Sequence, residues 1–239
     1  MRIDVLGVGF DNVTMTEAVE RGMSLLRSEG AHYVVTPNPE IVEICREDAA
    51  AKAAVNGADL VLPDGIGVIK GAAMLGTPLK EKTPGIEFAA HIVERMAGEG
   101  LSLYLLGAKP GVAEKAAENL KKQHSGLVIA GTHDGYFKED GPVVEDIRQS
   151  GADCVFVCLG APKQEFWMAK NGPATGAHLL CGLGGGNITG DLRSKNRHKN
   201  FPAGQKLLQP AGKGRNAPQI ANEDEKSHKG QKQGIVHCP

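Results

Sequence analysis

Short continuous runs of Val, Ile and Leu alternate with longer amphipathic stretches along the first 185 residues. "HYVVT", "ADLVLPD", "LSLYLLG", "GLVIAG", "DCVFVCLG" and "AHLLCGLGGG" are apolar at nearly every position. A strand apolar on both sides must be buried on both faces, the signature of a parallel sheet sandwiched between helices. The intervening segments supply those helices. "IEFAAHIVERMAGEG", "KPGVAEKAAENLKKQ" and "GPVVEDIRQSG" each carry apolar residues at helical spacing. The expected fold class is therefore α/β, a mostly parallel, Rossmann-like sheet with helices on both faces. A chain of 239 residues is long enough to bury such a core.

Local signals refine this outline. "IDVLGV" reads as a first strand. Thr14-x-x-Glu17 is a capping box for the helix carrying Val19, Met23 and Leu26. Asn38 followed by Pro39 reads as an N-cap with proline at the first helical position, and "IVEICREDAAAKAAV" continues that helix. "PKQEFWMAKNG" reads as a short helix.

The pattern stops near Gly186. Residues 193–239 contain no Trp, Tyr or Met, and carry ten Lys or Arg against three Asp or Glu, a net of +7. The first 192 residues carry 17 basic against 25 acidic residues, a net of −8. The reading is an α/β domain over residues 1–190 and an atypical basic tail over 191–239, either poorly ordered for want of apolar groups or corrupted by a frameshift, with true divergence as the alternative.

Five cysteines form no C-x-x-C pair, and Cys45, Cys154, Cys158 and Cys181 sit in apolar runs, which predicts buried free thiols in a reducing compartment. The start "MRIDVLGVGF" lacks the apolar run of a signal peptide, and no window approaches the roughly 20 apolar residues of a membrane span. The expected location is cytoplasmic.

In an open parallel sheet, ligands bind beyond the carboxyl ends of the strands. Here those ends carry Thr36-Pro37-Asn38, Asp64-Gly65, Gly107, "GTHDGYF", Lys163-Gln164-Glu165 and "GLGGG". Each has a structural reading as well: Asn38 as a helix cap, Asp64 as a turn residue, Gly107 with Gly111 as a plain strand-to-helix connection. Several chemistries are disfavoured. "GVGFDN" gives only two glycines of a dinucleotide fingerprint, and no acidic residue ends the second strand. There is no P-loop, no G-x-S-x-G and no D-x-D pair, and the histidines are scattered, so no metal site is expected.

"VVTPNPEIV", "ADLVLPDGIGV", "KTPGIEF", "LYLLGAKPGVAEKAAENL", "GTHDGYF" and "CLGAPKQEFW" occur in this order within residues 3–185. Together they resemble the WecG/TagA/CpsF family of bacterial glycosyltransferases, most closely its teichoic-acid branch. That resemblance implies an inverting, metal-independent and cofactor-free transfer of N-acetylmannosamine. The donor would be UDP-linked, the acceptor undecaprenyl-diphosphate-linked N-acetylglucosamine, and the new linkage β-1,4. It further implies Asp64 as the general base, Thr36 and Asn38 near the donor sugar, Gln164 on sugar hydroxyls or diphosphate, and Gly107 at a helix start facing phosphate. Lys82 stands where many relatives carry Arg, keeping the charge without the bidentate fork.

The implied partners are a UDP-sugar, a lipid-linked acceptor and the inner membrane surface, with no nucleic acid and with homo-oligomers possible. The family's C-terminal Arg-Ala-Pro and Glu-Trp elements are missing from "GGGNITGDLRSKNRHK". A catalytically silent nucleotide-sugar-binding protein is therefore a second reading, and a nucleotide-binding oxidoreductase a third.

Overall fold

The computed structural model describes residues 1–184. The chain enters through a hairpin, β1 (Arg2–Val5) and β2 (Val8–Asp11), not the single strand expected of "IDVLGV". The reversal falls at Leu6 and Gly7, whose φ angles of 56° and 89° are both left-handed, the geometry that joins two twisted antiparallel strands by two residues.

Helix α1 (Met15–Arg27) follows, with the expected capping box: Thr14 Oγ1 accepts from Glu17 N, and Thr14 N donates to the Glu17 carboxylate. After β3 (His32–Val35), the next helix is broken in two, α2 (Pro39–Glu47) and α3 (Ala49–Asn56). Asp48 causes the break. Its backbone is extended, and its carboxylate accepts from Ala50 N at 2.8 Å and Ala51 N at 3.1 Å, starting a second helix.

Strand β4 (Leu60–Val61) is short, and it is followed by helix α4 (Ile66–Met74), an element absent from the sequence reading. The remainder alternates as expected: α5 (Gly85–Glu99), β5 (Ser102–Gly107), α6 (Val112–Gln123), β6 (Val128–His133), α7 (Asp140–Ser150), β7 (Cys154–Cys158), α8 (Lys163–Thr175) and β8 (Leu179–Gly182). Helix α8 runs on through Pro173 and is longer than the sequence reading.

The six later strands pair in the order β4-β3-β8-β7-β5-β6, every pair parallel. Alternate residues of each strand enter opposite layers. Leu103, Leu105, Cys154 and Phe156 join one core with residues of α1, α5 and α6. Tyr104, Leu106, Val155 and Val157 join the other, with residues of α2, α3, α4, α7, α8 and the hairpin. This is the two-faced burial that continuous apolar runs require. Cys45, Cys154, Cys158 and Cys181 are free and buried within these layers, as predicted.

The hairpin also closes an edge of the sheet. Asp11, buried at its end, accepts from Val61 N at 2.9 Å on β4, and pairs with Arg2 at 3.2 Å and Arg21 at 2.7 Å. A strand-edge N–H that would otherwise face solvent is thereby satisfied. The expected tail 191–239 and the boundary at residue 190 lie outside the described residues.

Candidate functional site

Four neighbouring strands, β4, β3, β8 and β7, deliver their carboxyl ends to one stretch of rim. At or just beyond those ends stand Asp64, Thr36, residues 182–184 and Gln164. Hydrogen bonds and close packing link them in one chain.

Asp64, half-buried, accepts through Oδ2 from Gly85 N at 3.2 Å, which ties the carboxylate to the first turn of α5. That turn carries the positive end of the helix dipole, a setting that favours a negative charge. Gly85 in turn lies against Thr36. A Cβ at residue 85 would come within 2.8 Å of Thr36 Oγ1, so only glycine lets α5 start this close to β3. Thr36 Oγ1 donates to Gly182 O at 3.1 Å at the end of β8. Two residues on, Gly184 N donates to Gln164 Oε1 at 3.0 Å, and Gln164 Nε2 donates to Glu165 Oε1 at 2.9 Å.

The structure therefore gathers Asp64, Thr36 and Gln164, but it places Gln164 differently from the sequence expectation. The amide was expected to face a ligand. It is 1% exposed, with both ends engaged by protein. Thr36 is likewise nearly buried and braces β8.

Asn38 serves as the N-cap of α2, its Oδ1 accepting from Ile41 N at 2.9 Å. Lys82 is exposed, one residue before Thr83, whose N–H donates to Pro63 O at 2.9 Å beside the exit of β4. Gly107 has φ +127°, and a Cβ there would collide with the Cys158 carbonyl of adjacent β7. Close strand approach alone accounts for the glycine, before any phosphate is considered.

Helices α6 and α8 start after Gly111 and Pro162 without side-chain caps, and at each start one backbone N–H is already engaged, Val112 N by Lys109 O at 3.0 Å and Gln164 N by Gly160 O at 2.9 Å. A separate groove of about 400 Å³ at the starts of α7 and α8 is lined by Asp140, Lys163, Phe166, Trp167 and Asn171. None of Thr36, Asn38, Asp64, Lys82, Gly107 and Gln164 is among the residues that line it. Among the described residues, no group of three or more His, Cys, Asp or Glu is placed to hold a metal ion. No described helix is long and apolar enough to cross a membrane.

Glu165 was overlooked in the sequence, read only as part of "KQE". It is 1% exposed, and its Oε2 is buried without a hydrogen-bond partner. Burial pushes its carboxyl above the usual range, against a smaller opposing effect of the Gln164 hydrogen bond. Its own burial, and to a smaller extent the nearby Glu165, push the Cys45 thiol up to about 11. A signal for the inward side did exist. Gln164, Met168, Asn171 and Thr175 recur at helical spacing, and all four are buried.

The sequence model of the glycosyl transferase WecG/TagA/CpsF family matches residues 3–187. Two curated relatives, from Staphylococcus aureus strains NCTC 8325 / PS 47 and MRSA252, are each 33% identical over 187 residues. That overlap is 77% of this chain and 73% of each relative. Both are named N-acetylglucosaminyldiphosphoundecaprenol N-acetyl-beta-D-mannosaminyltransferase.

Proposed function

We propose, for a chain that belongs to the WecG/TagA/CpsF glycosyl transferase family, that it moves N-acetylmannosamine from a UDP-activated donor to N-acetylglucosamine on undecaprenyl diphosphate. Asp64 is the general base. It takes the proton from an acceptor hydroxyl as that oxygen attacks the anomeric carbon. The bond from that carbon to the diphosphate breaks, UDP leaves with the electron pair, and the configuration inverts. The β-1,4 linkage is part of this reading.

The observation that carries the assignment is the setting of Asp64: a strand-end carboxylate held on the first turn of α5, joined through Gly85 and Thr36 to the end of β8. A fixed carboxylate loses little on orienting at the moment of reaction. In this reading the charge that builds on departing UDP is met by the positive ends of the α6 and α8 dipoles and by exposed Lys82. Thr36 and Gln164 act from below in this reading, as supports of the rim, while Asn38 adds its carboxamide beside α2.

The donor is a soluble nucleotide sugar and the acceptor a lipid, so the enzyme works as a peripheral protein at the inner face of the membrane. The test is a panel of radiolabelled UDP-sugars with a short-chain lipid-diphosphate N-acetylglucosamine acceptor. Label from UDP-N-acetylmannosamine should enter the lipid fraction. Transfer only from a different UDP-sugar would overturn the donor assignment, and UDP binding with no transfer from any donor would overturn the enzymatic one.

A further inference from the structure

We infer that Glu165 is a positioning residue, which sets the orientation of the Gln164 amide and so fixes the backbone at the exit of β8 against the start of α8. The inference deepens the functional reading above and rests on it for its link to turnover; the bond geometry stands independently.

A glutamine amide has one accepting end and one donating end, and turning it over exchanges them. At residue 164 the two ends meet different partners. Gly184 N–H offers only a donor, so it requires Oε1. The opposite end, Nε2, then needs an acceptor in a place closed to water, since Gln164 is 1% exposed. Glu165 Oε1 supplies it at 2.9 Å. A neighbour with no acceptor would leave a buried amide donor unpaired, a state native interiors avoid.

The space around the amide is also tight. A Cβ at Gly182 would come within 3.1 Å of Gln164 Nε2 and 2.7 Å of Met168 Cε. β8 therefore lies directly on the amide, and the bond to Gly184 cannot shift far without moving the strand.

The cost of the arrangement marks it as more than packing. Glu165 Oε2 has no hydrogen-bond partner in a buried site, where an apolar side chain of similar size would avoid the penalty. What the carboxyl supplies in return is one acceptor at one point. That acceptor is needed whether the group is ionised or protonated, because Oε1 can accept in either form. The effect reaches the candidate base through Gly182, which accepts from Thr36, and through Thr36, which packs on Gly85 beside Asp64.

The test compares Glu165→Gln with Glu165→Met in the full chain. Gln keeps an acceptor for Gln164 Nε2; Met keeps the volume and removes it. Amide hydrogen exchange at Gly184 is the direct readout, and needs no substrate. Exchange should remain as in the parent for Glu165→Gln and accelerate by at least about fivefold for Glu165→Met, the worth of one typical intramolecular hydrogen bond. Turnover should follow the same order, with kcat lowered in Glu165→Met and restored in Glu165→Gln, while melting temperatures of the two variants report folding separately.

Equal Gly184 exchange in all three proteins would overturn the inference. So would equal loss in both variants, which would mean that the carboxyl's charge rather than its acceptor matters. If no protein transfers sugar but exchange behaves as stated, the functional reading fails and the positioning role stands.

Discussion

Replacing Gln164 by Ala separates two roles that one residue at a sheet rim can have. A ligand-facing amide can be removed with little effect on folding. The amide seen here has both ends bound to protein in a site 1% exposed. Its removal leaves Gly184 N–H without an acceptor and Glu165 Oε1 without a donor, and opens a space beneath β8. An abandoned buried polar group costs about 1–3 kcal/mol. With the lost packing, the variant should be about 3 kcal/mol less stable than the parent. For a domain of this size, that corresponds to a melting temperature lower by about 6–12 °C.

The assay is thermal and urea unfolding of the full chain followed by circular dichroism, with turnover measured well below the transition. Gln164→Leu, which keeps more of the volume, should recover part of the loss and not all of it. A melting temperature within about 2 °C of the parent, together with lost turnover, would refute the structural role and return the amide to the ligand.

Two further outcomes follow from neighbouring geometry. Gly107→Ala places a Cβ against the Cys158 carbonyl in a left-handed conformation, so it should destabilise the protein by about 2 kcal/mol or more even with no ligand present; an unchanged urea midpoint would contradict this. Glu165 has a folded pKa raised by burial above its unfolded value near 4.5, so the folded state holds its proton longer and stability declines as pH rises from that value through the raised one. Glu165→Gln removes this decline, and its stability relative to the parent should grow from pH 4.5 upward in urea titrations; a constant difference would show that the group does not titrate in that range.

The sheet was legible because burial on two faces leaves an unmistakable composition. "CVFVC" has no polar face to hide, and its residues alternate between two cores, Cys154, Phe156 and Cys158 in one and Val155 and Val157 in the other. Elements whose signals are conformational were harder to read. The turn at Leu6 depends on a left-handed leucine, which no propensity predicts. Asp48 ends one helix and caps the next within an alanine-rich run that reads as continuous. Helix α4 is apolar on several sides and carries two glycines, so it shows no clear stripe.

The candidate site divides in the same way. Position along the chain put Asp64, Thr36 and Gln164 on one rim, because strand ends in a parallel sheet share an edge. Direction did not follow from position: whether Gln164 points out or in depends on the phase of α8, visible only when Met168, Asn171 and Thr175 are read with it. Asp11 was missed for a related reason. Its partners Arg2, Arg21 and Val61 come from three separate segments, and local sequence has no means of bringing them together.

The most direct test of the account is Asp64→Asn in the full chain. Asparagine preserves the shape of the side chain and an oxygen to accept from Gly85 N, so folding and binding of the UDP-sugar by calorimetry should remain close to the parent. Transfer of N-acetylmannosamine to the lipid-linked acceptor should fall by about 10²-fold or more, the usual contribution of a general base. Turnover within a few-fold of the parent, with donor binding intact, would contradict the assignment of Asp64 as the base.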